Sequence, residues 1–218
     1  MPVVDVFFRL QGGLIPADHG YLLFSALSAI IPELHGDNAV GVHPISGRLA
    51  GNRSLILTHS SFLTIRLPAE RVSQFMQLAG KALSIGDSQV RTGVPHTRAL
   101  LPSSTIHSRL VVIKGFMEPE PFLEAAYRQL ETAGIRGQPR LKEQAGVAKA
   151  NAGLPTGSHS TFLRRTIRIR DKEIVGFALE VQGLSPADSI ALQEAGLGGR
   201  QRFGCGVFVP TPGQRAEE

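Results

Sequence analysis

The sequence predicts an α+β fold built from two β-α-β-β-α-β units in tandem. Three observations carry that prediction. Short apolar runs rich in β-branched and aromatic residues recur along the 218-residue chain, separated by stretches whose apolar residues fall at helical spacing. Their order is strand, helix, strand, strand, helix, strand, and the order then repeats. The helix-like "LPAERVSQFMQLAG" of the first half also has a counterpart, "LSPADSIALQEAG", in the second.

"VVDVFFRL" (Val3 to Leu10) reads as the first strand. "QGGLIPADHG" is a turn leading into a helix, with Pro16 early and Asp18 able to cap it. Leu23, Ala26, Leu27, Ile30, Ile31 and Leu34 continue that helix, and Pro32 begins a new turn at its end. "AVGVHPI" is a short strand. "RSLILTH" and "SFLTIRLP" read as one strand or hairpin arm interrupted near Ser60. "PAERVSQFMQLAG" is a helix with Pro68 in its first turn and Gly80 closing it. "QVRTGV" completes the unit.

The second unit starts near Ser108 with the strand "RLVVIKGF". "EPEPFLEAAYRQLETAG" is an amphipathic helix with acidic residues in its first turn and Gly134 at its end. "TFLRRTIRIR" and "EIVGFALEVQGL" are strands joined by a tight turn at Asp171-Lys172. "SPADSIALQEAG" is a helix with Ser185 as N-cap and Pro186 at its first position. "FGCGVFV" is the last strand. A long polar insertion, "GQPRLKEQAGVAKANAGLPTGSHS", breaks the pattern, and its Arg140, Lys142 and Lys149 suit a basic loop or a linker. The expectation is a tandem ferredoxin-like fold with a C-terminal glycine-rich loop. Its domains span 1–98 and 105–212, with "RALLPSSTIHS" as linker.

Composition narrows the function. Hydrophobic residues at 42% and charged residues at 19% describe a globular chain. No apolar run approaches the roughly 20 residues that span a bilayer, and no basic region precedes the first apolar stretch, so neither a membrane nor a signal peptide is expected. The single cysteine, Cys205, leaves no internal disulfide framework and no CxxC metal site, and fits a reducing cytoplasm. A net charge of +5 favours a polyanionic partner.

The densest glycine cluster is "GLGGRQRFGCG" (Gly196 to Gly206). Helix, glycines, strand is the reverse of the order a dinucleotide loop needs. Two readings remain from the residues alone: a helix C-cap with a tight turn, or a phosphodiester cradle in which glycine N–H groups approach a nucleic-acid backbone that arginines neutralise. Strand alternation in "LRRTIRIR" places Arg164, Arg168 and Arg170 on one face, either as a phosphate-binding stripe or as a solvated surface.

"GLGGRQRFGCGVF" before the last strand resembles the signature of the repeat-associated RNA-binding superfamily. "VDVFFRL", "IPADHGYLLFSALSAIIPELHG" and "LPSSTIHSRLVVIKGFMEPEPFLEAAYRQLE" extend the likeness over the chain. Within that superfamily the sequence most resembles the CRISPR repeat-RNA endoribonucleases, and "HGY" and "GLGGR" resemble their myxobacterial-type branch. The resemblance implies metal-independent cleavage of CRISPR repeat RNA, a stem-loop, with no cofactor. The substrate's 2′-OH attacks the neighbouring phosphate and leaves a 2′,3′-cyclic phosphate and a 5′-OH, giving guide RNA. Other subunits of a CRISPR effector complex are further partners that it implies. A non-catalytic RNA-binding subunit of the same fold, or a structural domain that binds a small anion, are the rival readings.

Such chemistry needs an acid and a base, and histidine serves both near neutrality. The resemblance places the general acid/base at His35, in "ELHG"; a helix-terminal histidine that complements the dipole would look the same. His19 opens the same helix and is the second catalytic candidate, with Tyr21 beside it. A straight helix of about 1.5 Å per residue would hold His19 and His35 roughly 20 Å apart or more, so they would not share one site. His43 is a lesser candidate. His59, His96, His107 and His159 fall in loop-like contexts. The RNA-binding candidates are Gly198, Gly199, Arg200 and Arg202 in the glycine loop and Arg164, Arg168 and Arg170 on the basic strand. No HxxxH pair and no carboxylate cluster beside a histidine suggests a metal site.

Overall fold

A computed structural model describes residues 2–143 and 162–211. The chain divides into two compact units, each described by itself. The first gathers Met1–Leu100 with Ile167–Lys172 and Arg200–Gly204; the second gathers the rest.

In the first half the elements are β1 (Val3–Gln11), β2 (Leu14–Pro16), α1 (Gly20–Ile30), β3 (Gly41–Val42), β4 (Arg48–Ala50), β5 (Ser54–Ile56), β6 (Phe62–Pro68), α2 (Val72–Phe75), β7 (Ala82–Ile85) and β8 (Ser88–Ala99). One sheet has the order β3-β6-β1-β8-β7, with every pairing antiparallel. Without β7 this is the ferredoxin-like order. Alternation explains it: Val6, Phe8 and Leu10 of β1 and Leu63, Ile65 and Leu67 of β6 are buried with Leu23, Phe24 and Leu27 of α1. The second half contains β9 (Thr105–Val111), α3 (Pro119–Thr132), β10 (Gln138–Leu141), β11 (Arg164–Ile169), β12 (Lys172–Gln182), α4 (Pro186–Ala195) and β13 (Val209–Pro210). The order β10-β12-β9-β13 repeats the ferredoxin-like arrangement, and β11 pairs with β12. Phe122, Phe177, Leu192 and Phe208 lie in that unit's core.

Several elements differ from expectation. The first helix ends at Ile30 because Ile31 precedes Pro32 and leaves the helical region (φ −123°, ψ 83°); a separate 3₁₀ turn, Pro32–Leu34, follows. Its N-cap is His19, not Asp18. "RSLILTH" and "SFLTIRLP" form two strands in different sheets, since β5 joins β2 and β4 in a small three-stranded sheet. "PAERVSQFMQLAG" breaks into 3₁₀, α and 3₁₀ turns. β9 begins three residues before the expected restart at Ser108. β10 lies within the expected polar insertion, on a sheet edge where Pro139 is tolerated. The β11–β12 turn is at Arg170-Asp171, one residue early. The last strand shrinks to two residues because a 3₁₀ turn, Gln201–Phe203, occupies the expected start. Lys149 and His159 lie outside the described residues.

Candidate active site

The first unit brings two distant chain segments, Ile167–Lys172 and Arg200–Gly204, to the helix α1. Gly20 opens that helix, and a Cβ there would stand 2.4 Å from the carbonyl oxygen of Phe203 and 2.7 Å from Ile167 Cδ1. Only glycine lets α1 start against both returning segments. Asp18 accepts a bond from the Arg168 N–H at 2.9 Å, which explains why it does not cap the helix.

Along α1 runs a line of rings. Tyr21 lies 6.0 Å from Phe203, Phe203 lies 4.7 Å edge-on to Phe24, and Phe24 lies 5.2 Å edge-on to His35. The guanidinium of Arg202 sits 5.6 Å from the Phe24 ring centre and 6.0 Å from that of Phe203. Its Nη1 donates to the Leu34 carbonyl at 3.0 Å. His35 is exposed, in extended backbone (φ −66°, ψ 121°) just past the 3₁₀ turn. An exposed imidazole and a half-buried guanidinium therefore rest on one aromatic ring. Tyr21 is half-buried, and its hydroxyl accepts from Arg170 Nε at 3.3 Å.

His19 is placed differently. It is 2% exposed, its Nε2 accepts from the Ile45 N–H at 2.9 Å, and its Nδ1 lies 3.0 Å from the Pro16 carbonyl. Because a carbonyl can only accept, Nδ1 carries the proton and the ring is neutral in this pair of bonds. The break at Ile31 means that the straight-helix distance to His35 does not apply.

The glycine loop divides by residue. Gly198 has φ +75°, and a Cβ would lie 2.4 Å from the Val112 carbonyl oxygen; its N–H donates to Gln129 Oε1 at 2.9 Å. Gly199 N–H donates to the Val112 carbonyl at 3.0 Å, and a Cβ on Gly199 would meet open space. Both N–H groups thus have acceptors within the protein. Arg200 is exposed and left-handed, with φ 72°. On the basic strand, Arg164, Thr166 and Arg168 are exposed and Ile167 is buried, as alternation required. Arg170 is exposed but stands in the turn, left-handed at φ 54°.

A charged cluster that the sequence reading missed lies on β1 and β6. Arg66 Nε and Nη2 donate to the two oxygens of Asp5 at 2.8 and 2.9 Å, and both residues are buried. His43 Nε2 approaches Asp5 Oδ1 to 3.3 Å without forming a hydrogen bond. Burial alone would raise the Asp5 pKa; His43 and Arg66 beside it outweigh that and hold the carboxyl far below its usual range. Burial pushes the His43 imidazole below its ordinary pKa, against the opposing pull of Asp5. His107, expected in a loop, is half-buried on β9, and burial lowers its pKa too. His96 likewise lies on a strand, β8. Among the described residues, no group of three or more His, Cys, Asp or Glu could hold a metal ion, and no helix is long and apolar enough to cross a membrane.

Two ferredoxin-like units and a glycine-rich segment before the last strand are the arrangement that the sequence resemblance implied. The chain matches the Cas6 family, described as Cas6 Crispr, over residues 4–213, and it belongs to that family. It is 38% identical over 216 residues to the CRISPR-associated endonuclease Cas6 of Myxococcus xanthus, covering 99% of this chain and 84% of that one. Among solved structures, one described as CRISPR associated protein Cas6 superposes with a TM-score of 0.65 at 14% identity, covering 96% of this chain and 99% of that one. A Cas6-related protein of Pyrococcus furiosus superposes with a TM-score of 0.59 at 16% identity, covering 98% and 99%. These two share the fold.

Proposed function

We propose that this Cas6-family endoribonuclease cuts CRISPR repeat RNA by metal-independent attack of the 2′-OH on the adjacent phosphorus, with His35 as the proton-transfer group. The observation that supports it is the pairing of exposed His35 with Arg202 on the Phe24 ring. In the reaction the 2′-oxygen bonds to phosphorus and the bond to the 5′-oxygen breaks. The 2′-proton leaves, a proton reaches the departing oxygen, and the products are a 2′,3′-cyclic phosphate and a 5′-OH. His35 handles one of those two protons. Arg202, fixed by the Leu34 carbonyl and two rings, neutralises the phosphate as charge builds on it. His19, with both ring nitrogens bonded inside the fold, holds the start of α1.

Arg200, Arg164, Arg168 and Arg170, all exposed, grip the RNA backbone, and the open side of Gly199 lets the strand come close. The same grip keeps the product bound for other subunits of a CRISPR effector complex. A chain with one cysteine and a net charge of +5 suits work on RNA in the cytoplasm. The test is incubation with repeat RNA in EDTA. Discrete products ending in a cyclic phosphate are expected, and a 2′-deoxy nucleotide just upstream of the break should abolish cleavage while binding persists. Robust cutting of the deoxy substrate would overturn the 2′-OH mechanism.

A further inference from the structure

Among the described residues, four that are not glycine adopt positive φ, and three of them are arginines: Arg53 (φ 53°), Arg170 (φ 54°) and Arg200 (φ 72°). All three are exposed. Left-handed backbone favours glycine or asparagine, so an arginine there is conformationally costly and adds nothing to a turn's geometry. Arg53 is the sharpest case. It closes the three-residue loop Gly51-Asn52-Arg53 between β4 and β5, whose flanking residues Ala50 and Ser54 pair directly. Hairpin loops of this length prefer glycine at the left-handed position, yet here glycine stands two residues earlier.

The Arg53 position is also fixed. Its carbonyl accepts from the Ala17 N–H at 2.7 Å. The next residue, Asp18, holds the Arg168 N–H, and Tyr21 holds Arg170 Nε. One short segment, Pro16 to Tyr21, thereby anchors three arginines from two separate hairpins. The Arg53 guanidinium makes no hydrogen bond and no ion pair among the described residues, and Asp18 Oδ2 is already occupied by Arg168.

We infer that the β4–β5 hairpin is an RNA-backbone contact, with Arg53 binding a phosphate of the same strand that Arg168 and Arg170 grip. The inference rests on the reading of this chain as a repeat-RNA nuclease, and it adds a contact that the basic strand and the glycine loop do not supply.

The test measures repeat-RNA affinity over a range of salt, together with melting temperature, for the wild type, Arg53→Asn and Arg53→Lys. Asparagine suits the left-handed backbone and removes the charge, so Arg53→Asn should melt at or above the wild-type temperature. It should bind more weakly, with the slope of log affinity against log salt reduced by about 0.7 to 0.9. Arg53→Lys should keep the wild-type slope. Wild-type affinity and slope in Arg53→Asn, in a protein that still cuts repeat RNA, overturn this inference alone. A wild-type protein that neither binds nor cuts repeat RNA overturns it together with the reading beneath it.

Discussion

Arg202 donates from Nη1 to the carbonyl of Leu34 at 3.0 Å, one residue before His35. The bond joins the glycine-rich loop to the turn that displays the histidine. It makes the placement of His35 depend on the loop, and it separates the roles of the two loop arginines. Arg200 is exposed and strained at the rim, whereas Arg202 is half-buried between rings.

His35→Ala should lower single-turnover cleavage of repeat RNA by about 100-fold or more, the usual scale for proton transfer, with RNA affinity almost unchanged. His19→Ala should instead lower the melting temperature. It leaves the Pro16 carbonyl and the Ile45 N–H without partners, at about 1–3 kcal/mol each, and the protein that remains folded should still cleave. Normal cleavage by His35→Ala beside a folded but inactive His19→Ala would move the site to the start of α1.

The glycine loop offers a paired comparison. Gly198→Ala should depress the melting temperature, since the new Cβ meets the Val112 carbonyl. Gly199→Val should leave melting nearly unchanged, because its side chain enters open space, but should weaken RNA binding if the strand approaches there as proposed. Melting curves and binding isotherms on the same two proteins check both halves. Equal RNA affinity for Gly199→Val and the wild type would remove this surface from the interface.

Arg200→Ala should weaken binding and flatten its salt dependence by about 0.7 to 0.9 in slope. Arg202→Ala should do the same and also reduce the cleavage rate of bound RNA, as its anchor lies beside His35. An unchanged salt slope in the double variant would exclude the loop from phosphate binding.

Stability should fall on acidification. The His43 pKa is depressed in the folded state, so between about pH 6.5 and its folded pKa the unfolded chain takes up a proton that the folded one refuses. The stability present above pH 6.5 is lost as pH falls, by at most about 1.4 kcal/mol per pH unit from this one group. His107 acts in the same direction. Melting temperature against pH should be flatter below pH 6.5 in His43→Asn. An identical profile would show that His43 titrates normally.

The strand and helix order was legible because each element carries its own period and punctuation: Ser185 and Pro186 start α4 as expected, with Ser185 Oγ accepting from the Asp188 N–H. What was not legible depends on partners distant in the chain. The expected helix over residues 68–80 keeps only Val72–Phe75 as α-helix and ends in a 3₁₀ turn, Met76–Leu78, beside which Thr92, buried on β8, bonds to the Leu78 and Lys81 carbonyls and to the Lys81 N–H. The Asp5–Arg66 pair joins residues 61 apart, and only the β1–β6 register sets them opposite one another. At the candidate site, exposed His35 and the alternation of Arg164 and Arg168 could be read in the residues. The Phe24–Phe203–Arg202 packing could not, because a chain written as loop returns to a helix that begins at residue 20.

That return affects how the protein is made. Arg200–Gly204 and Ile167–Lys172 belong to the first compact unit, although synthesis delivers them after most of the second. When only the first hundred residues have been released, there is no Phe203 to cover Phe24 and no Arg202 guanidinium to reach the Leu34 carbonyl. A nascent chain in this state holds His35, the proposed proton-transfer group, without Arg202, the proposed phosphate-binding cation. On that proposal, cutting competence waits until the loop has emerged and docked.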